Sequence, residues 1–241
     1  MSRIEHASQN PSEDDIRAWA IACGVALQIP ELIAAHREVE QMWTEHRRNL
    51  RAGMVHVQGR GTDLYERTSL LRAYESNVVP GILQMRGYAA AALTTVAHVH
   101  GRPVEEAEPA AEAKLEMQRL ITSPTGANRY SFVIEAGALD HGFGGVEVMN
   151  GQFDFLTDVT RMPHVAFGVI PPLAGRRIRP GEGFYIFDEH LVRSETWTGT
   201  LRTRRMDQIA FYVRTFGMLR EMAVYGEAVR GLIEEARSRL R

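Results

Sequence analysis

Cysteine and long apolar runs are the two features that this sequence most lacks. Cys23 is the single cysteine among 241 residues, so no disulfide can form within the chain, and its apolar neighbours predict a small packed side chain rather than a reactive thiol. No segment approaches the roughly 18 uninterrupted apolar residues that a membrane span requires, and residues 1–6 contain no apolar stretch typical of a signal peptide. We therefore expect a cytoplasmic protein without membrane association.

Excess positive charge is the third feature in short supply. The chain carries 28 lysine and arginine residues, overwhelmingly arginine, against 30 aspartate and glutamate residues, which gives a formal net charge of −2. Such a balance produces no positive field that would attract a phosphate backbone. Nucleic acid is therefore a poor default partner, and we expect no specific DNA binding.

Helix signals dominate the N-terminal part of the chain. Ser12 before an acidic first turn and Pro30 at a first-turn position each predict the start of a helix. At about residues 52–62 the composition shifts to glycine with few large apolar residues, which is typical of a boundary. The sequence therefore predicts a helical N-terminal segment, residues 1–55, and a main domain, residues 62–241.

The main domain changes from helical to extended periodicity and back. The patterns predict helices over 63–75, 86–98, 103–122, 146–159, 203–224 and 226–240, and strands over 130–134, 165–170, 184–187 and 191–197. The later strands follow one another without intervening helices, which favours a mixed or antiparallel sheet packed with helices. The predicted fold class is α+β, preceded by a short helical N-terminal remnant.

A series of short motifs resembles one family of regulators. Residues 79–84, Val-Pro-Gly-Ile-Leu-Gln, followed by Gly-Tyr-Ala, resemble the V-P-G-L-L-Q-T-x-x-Y-A signature of actinobacterial Xre-type helix-turn-helix regulators, including WhiJ-like regulators, with a large C-terminal domain of unassigned function. The resemblance continues in order through four further segments. They are similar to the following motifs of the regulators: residues 113–118 to A-R-x-x-R-Q, 134–139 to I-E-E-x-A-L, 144–152 to G-G-x-x-V-M-x-x-Q-L and 169–175 to V-L-P-x-x-x-G. It covers roughly residues 62–236, and it departs at Met85, Gly137 and Ser194.

The N-terminal segment resembles the tail of the same regulators' DNA-binding domain. Residues 11–12 and 22–24 are similar to a stretch in which P-S-x-x-x-V precedes a helix that ends A-C-G. A complete domain of this type places its recognition helix before that tail. Only eleven residues precede Ser12, so we expect the part that reads DNA to be missing.

The resemblance implies a regulator-derived module that senses a small molecule or docks a small acidic partner protein. Loss of the DNA-reading part leaves a second hypothesis open. In it the domain is a repurposed enzyme of specialised metabolism, of the transferase or cyclase type, with a pocket near Glu135 and Glu195. A homodimer is expected as one oligomeric state.

Five polar residues are candidates for the ligand site. Glu135 and Glu195 each end an apolar strand, and Arg193 would share a strand face with Glu195. Glu135 is interpreted either as a pocket residue or as a structural carboxylate whose hydrogen bonds are made within the protein. Glu195 is interpreted either as a pocket residue or as one partner of a cross-strand ion pair. Gln84 and Gln152 are interpreted either as ligand contacts or as buried amide scaffolding.

Other polar motifs do not match known cofactor chemistry. The pairs Asp140-His141 and His98-x-His100 lack the spacing of a four-ligand metal site. The glycine-rich residues 142–145 follow no strand–GxGxxG–helix pattern, and no serine lies in a G-x-S-x-G elbow. We therefore expect no metal and no cofactor. The arginines of 175–179 and 202–205 are interpreted as a solvated basic surface or as a site that binds phosphate or an acidic partner.

Overall fold

The computed structural model describes residues 4, 11–45, 54–55, 61–124, 126 and 128–241, and of residues 38–45 only the backbone. The chain divides into two compact units, Met1–Thr44 and Glu45–Arg241. The glycine-rich boundary predicted near residues 52–62 lies mostly outside the described residues. The interpretation of the first unit as a helix-turn-helix remnant stays a prediction.

The first unit contains two helices, α1 (Glu13–Ala22) and α2 (Ile29–Met42), and the short strand β1 (Trp43–Glu45) starts at its end. The helix start predicted at Ser12 is confirmed, because Ser12 and Asp15 form a reciprocal capping box. The prediction that Cys23 is packed is wrong: Cys23 is exposed. It lies at the C-terminal end of α1, where the chain turns through Gly24 at a φ of +72°, so its side chain has no helix interior to pack into.

The second unit contains seven helices within the described ranges. They are α3 (Thr62–Arg67), α4 (Arg86–His100), α5 (Ala107–Thr122), α6 (Gly137–Asp140), α7 (Gly145–Val159), α8 (Met206–Met222) and α9 (Glu227–Ser238). None of the helices in the described part of the chain is long and apolar enough to cross a membrane.

Seven strands of the second unit form one mixed sheet. They are β2 (Leu70–Glu75), β3 (Arg129–Glu135), β4 (Val165–Ile170), β5 (Phe184–Phe187), β6 (Leu191–Glu195), β7 (Gly199–Thr203) and β8 (Val224–Tyr225). Their order across the sheet is β7-β6-β5-β2-β3-β4-β8. Strands β2, β3 and β4 are parallel, and the remaining pairs are antiparallel. The predicted α+β class with a mixed sheet is confirmed.

The sheet has an apolar core on each face. Leu71, Ala73 and Phe132 belong to the larger core, which also contains buried residues of α4, α5, α7 and α9. Tyr74 and Val133, next to them in sequence, belong to the other core, which is covered by α8. Successive residues of a strand point to opposite faces, so the parity of a residue decides which core it joins.

The helix predicted over 63–75 is wrong in its second half. Helix α3 ends at Arg67, and Leu70–Glu75 is the strand β2, which pairs with β3 on one side and β5 on the other. A strand that is buried on both faces loses the apolar–polar alternation by which strands are recognised. The tertiary pairing therefore overrides the local helical pattern.

Candidate functional site

Two groups of titratable side chains lie on opposite faces of the central sheet. The register aligns Ala73 with Tyr185, and Tyr185 with Arg193, on the face of the larger core. It aligns Tyr74 with Phe184 on the other face. We call Tyr74, Glu135 and Arg176 the Glu135 triad. We call Glu75, Lys114, Tyr185, Arg193 and Glu195 the lysine cluster.

The Glu135 triad is a closed ion-pair network. Glu135 ends β3 and is only 7% exposed. Its two carboxylate oxygens accept hydrogen bonds of 2.8 and 2.5 Å from the Arg176 guanidinium, and Oε1 also accepts one of 2.8 Å from the Tyr74 hydroxyl. Burial, with Glu135 beside it, raises the pKa of Tyr74, and the hydrogen bonds to Glu135 raise the pKa of Arg176. A bidentate arginine offsets the cost of burying this carboxylate.

The lysine cluster begins with the carboxylate of Glu75 at the end of β2. The Tyr185 hydroxyl donates a 2.7 Å hydrogen bond to Oε1 of Glu75 and accepts one of 3.3 Å from the backbone N–H of Gly81. A Cβ at Gly183 would overlap the Glu75 carboxylate, so the absent side chain at Gly183 leaves room for it. Among the described residues, Oε2 of Glu75 has no hydrogen-bond partner.

Lys114 reaches the cluster from helix α5. Its ammonium donates a 2.8 Å hydrogen bond to Oε1 of Gln84, the only one that it makes to a described residue. Its Cε lies 2.8 Å from the position that a Cβ of Gly81 would occupy, so the lysine packs directly over this glycine. Both Lys114 and Glu75 are half-buried. They therefore have hydrogen-bonding capacity to spare while keeping contact with the surface.

Arg193 and Glu195 complete the cluster on strand β6. Arg193 lies 5.3 Å from the ring centre of Tyr185, donates a 3.0 Å hydrogen bond to the Tyr65 hydroxyl and lies 3.5 Å from Oε1 of Glu195. The predicted shared face of Arg193 and Glu195 is thus observed. The Nε atom of Arg193 is buried and has no hydrogen-bond partner within the described ranges. Glu195 itself is 56% exposed in its side chain.

Burial shifts the two half-buried charges of the cluster toward their neutral forms. Burial raises the pKa of Glu75 to about 7, against the hydrogen bond from Tyr185 that lowers it. Burial also lowers the pKa of Lys114, against the pull of Glu195 and Glu75. Loss of hydration disfavours a charge of either sign. The pKa of the Glu75 carboxyl and the pKa of the Lys114 amine therefore lie closer together than they do in water.

Gln84 and Gln152 hold the turn that positions Lys114. The turn is a 3-10 helix, Gly81–Leu83. Gln84 donates a 2.7 Å hydrogen bond to the Val79 carbonyl, and Gln152 donates one of 2.8 Å to the Leu83 carbonyl while accepting one of 2.8 Å from the N–H of Met85. Both glutamines are buried. Their amides are used by the scaffold, and Gln84 in addition contacts Lys114.

The structure does not bring all five predicted site residues together. Glu135 and Glu195 lie on opposite faces of the sheet, so the hypothesis of one pocket formed by both is corrected. The physical reason is that successive side chains of a strand point to opposite faces of the sheet. Glu135 lies on the same face as Tyr74, whereas Glu195 lies on the same face as Arg193 and Tyr185. Sequence reasoning missed Glu75 and Lys114, which carry the spare hydrogen-bonding capacity.

Several of the remaining polar motifs are engaged in ion pairs and hydrogen bonds. In the basic loop, Arg176 belongs to the Glu135 triad and Arg177 pairs with Glu221 at 2.7 Å. Asp140 pairs with Arg239 at 2.6 Å, and Nδ1 of His141 lies 2.8 Å from the Asn77 carbonyl. In the part of the chain that the structure describes, no three metal-ligating side chains gather around one point.

Comparison with known proteins gives a family without an assigned function. Residues 60–235 match the family described as a domain of unknown function, DUF5753. No curated protein matches the chain in sequence. Among solved structures, the chain is similar to TrmBL2, an archaeal chromatin protein described as showing a novel mode of DNA binding, with a TM-score of 0.38 and 9% identity over 89% of this chain and 69% of that chain. A likeness this weak carries no argument. Since the family match spans well over half of its length, the chain belongs to the DUF5753 family.

Proposed function

We propose that this chain is a small-molecule-binding module derived from an Xre-type helix-turn-helix regulator, and that it does not bind DNA by itself. The observation that carries the proposal is the spare hydrogen-bonding capacity of Glu75 and Lys114. In the same cluster the buried Nε of Arg193 has no hydrogen-bond partner within the described ranges, although nearly all buried polar groups in proteins have one. Titratable groups with shifted pKa values are concentrated at functional sites. A ligand with a donor and an acceptor would supply the partners that these two groups lack.

The regulator origin rests on the motifs of residues 62–236, which resemble the C-terminal domain of those regulators in order. The turn Gly81–Leu83 belongs to the first of these motifs, and it holds Lys114 through Gln84. The motif therefore serves the candidate site directly. The net charge of −2 supports the absence of DNA binding, because non-specific affinity comes mainly from cationic side chains on phosphates.

Catalysis is the second candidate function, and the same two residues favour it. A carboxylic acid with a raised pKa and an amine with a lowered pKa are suited to proton transfer near neutral pH. An enzyme of the transferase or cyclase type would use Glu75 as the acid and Lys114 as the base. Product formation beyond one equivalent per chain separates this function from simple binding.

A thermal-shift screen of the full chain against a library of small polar metabolites tests the binding function. We expect compounds that raise the Tm of the wild type and of Glu147→Gln but not of Glu75→Gln. Glu147 is an exposed glutamate near the start of α7, so its substitution is the matched control for loss of a carboxylate. A screen in which no compound distinguishes Glu75→Gln from the control would refute the site.

A gel-shift assay tests the absence of DNA binding. Wild-type protein at micromolar concentration is expected to retard duplexes only weakly, with no sequence preference, and to release them as salt is raised. Sequence-selective retardation at nanomolar protein would contradict the proposal.

A further inference from the structure

The lysine cluster holds the only lysine of the chain. Lys114 is the single lysine among 28 basic residues, and the other 27 are arginines. An arginine keeps its proton under all conditions in which proteins fold, whereas a buried lysine can lose its proton and act as a nucleophile. The one ε-amine of the protein therefore lies in a cluster of incompletely hydrogen-bonded charges.

We propose that Lys114 condenses reversibly with the carbonyl group of an aldehyde or ketone, so that the module holds its ligand as an imine. This inference rests on the proposed function, because it names the ligand class of the same site. It also explains why an amine serves at this position. A guanidinium would supply charge and more hydrogen-bond donors, but it would not add to a carbonyl carbon.

The contacts of Lys114 fix the position of its amine but use only part of its hydrogen-bonding capacity. The packing of Cε over Gly81 and the single hydrogen bond to Gln84 fix the direction of the side chain. Gln84 is in turn held by the Val79 carbonyl. Two of the three N–H positions of the ammonium have no partner among the described residues. A positioned nucleophile of this kind has lost little of its capacity to react.

Glu75 is the proton donor for the same step. The nitrogen of the neutral amine bonds to the carbonyl carbon, the π bond of the carbonyl breaks, and one N–H proton moves to the oxygen, which becomes a hydroxyl. The carboxylic acid of Glu75 then gives its proton to that hydroxyl, which leaves as water. The products are a protonated imine on Lys114, the carboxylate of Glu75 and one water molecule, so atoms and charge balance.

The proton affinities in the cluster support this chemistry. Burial lowers the pKa of Lys114, which increases the fraction of free amine, and burial raises the pKa of Glu75 to about 7, which keeps acid available at neutral pH. The Tyr185 hydroxyl, bound to Oε1 of Glu75, leaves Oε2 as the oxygen that carries the mobile proton. After condensation, the carboxylate faces a cationic imine, and each charge stabilises the other.

Reductive trapping tests the inference with little ambiguity, because the chain has only one ε-amine. The full chain is incubated at pH 7 with butyraldehyde and sodium cyanoborohydride, with Nα-acetyl-lysine in the same tube as a reference amine. Peptide mass mapping then measures alkylation of Lys114 and of the reference. We expect Lys114 to be alkylated several-fold faster than the reference. In Lys114→Arg, labelling is expected only at the α-amine of the N-terminus.

Two glutamate variants separate the chemistry from mere exposure. Glu75→Gln should slow alkylation of Lys114 to the reference rate or below, since the amide has no acidic proton, while the exposed control Glu147→Gln should react like the wild type. Circular dichroism confirms that each variant is folded. Alkylation of wild-type Lys114 at or below the reference rate would overturn the inference. The thermal-shift screen tests the binding function separately. If ligands without a carbonyl group stabilised the protein and Lys114 showed no selective alkylation, the binding function would be supported and the imine proposal would be refuted.

Discussion

Each face of the central sheet carries a glutamate at the end of a strand, and the two differ in burial and in hydrogen bonding: Glu135 is buried and Glu75 is half-buried. On one face, both oxygens of Glu135 are occupied by Arg176, and Tyr74 adds a third hydrogen bond. On the other face, Glu75 receives one hydrogen bond from Tyr185 and keeps its second oxygen without a partner in the described part of the chain. Both residues end a strand of the same parallel pair, so the strand position alone does not decide the role.

The difference shows which of the two groups is structural. A closed ion pair is sensitive to loss of either partner, because the remaining charge stays buried. An incompletely bonded group reduces the stability of the fold, and such a cost is commonly retained where a ligand is bound. This contrast supports the proposal that the Glu135 triad stabilises the fold and that the lysine cluster is the ligand site.

Opening the Glu135 triad should produce the largest effect. In Arg176→Ala the carboxylate of Glu135 remains buried with only the Tyr74 hydroxyl, and we expect the free energy of unfolding to fall by about 3 kcal/mol. Urea denaturation monitored by circular dichroism measures this change. Arg179→Ala is the matched control from the same loop, since among the described residues Arg179 makes only a 3.5 Å hydrogen bond to the Pro180 carbonyl. Equal stability of the two variants would show that the triad is not structural.

Removing the amide of Gln152 should have the next largest effect. Gln152→Leu leaves the Leu83 carbonyl and the Met85 N–H without their partner beneath the turn Gly81–Leu83. The expected loss is about 2 kcal/mol, the cost of unsatisfied buried polar groups. Because this turn holds Lys114, alkylation of Lys114 should also slow in the folded variant. A stability equal to that of the wild type would mean that the turn is held by other contacts.

Replacing Glu75 should have the smallest effect on stability, and with the opposite sign. The pKa of Glu75 is raised in the folded protein to about 7 from 4.5. The folded state therefore binds a proton that the unfolded state releases, and stability falls as pH rises through this interval. Glutamine imitates the protonated acid at every pH. Glu75→Gln should match the wild type at pH 5 and exceed it at pH 8 by about 1 kcal/mol, after a discount for partial exposure.

The pH series of unfolding curves has a clear contrary outcome. If Glu75→Gln were less stable than the wild type at pH 8, the carboxylate of Glu75 would be a stabilising charge like that of Glu135. The distinction between the two faces of the sheet would then be lost.

Much of the fold follows from local patterns in the sequence, and the candidate site does not. The strands Val165–Ile170 and Phe184–Phe187 and the helix Gly145–Val159 coincide with the predicted segments, because an apolar run or a helical stripe is a local property. Glu75 ends a segment whose sequence pattern favours a helix, so its place at the end of a strand could not be predicted from that pattern. Its strand is specified by pairing with β3 and β5, which lie far away in the sequence.

The grouping of the site residues also depends on information that local patterns lack. Whether Glu135 and Glu195 meet is decided by the parity of two strands that are not adjacent in the sheet. Lys114 lies on a helix that contains several other charged residues, so its charge alone does not mark it as a site residue. The signal that could have found it is its rarity, because it is the only lysine among 28 basic residues.

The protonation state of Lys114 is the most direct test of the claim that the lysine cluster is the functional site. Protein labelled with ¹³C and ¹⁵N in lysine alone should give the signal of one side-chain amine, which needs no assignment because the chain has one lysine. Titration of its Cε shift with pH gives the pKa of the amine. We predict a pKa clearly below the value of about 10.4 that is usual for lysine. A titration at about 10.4 would show a fully solvated ammonium and would contradict the account.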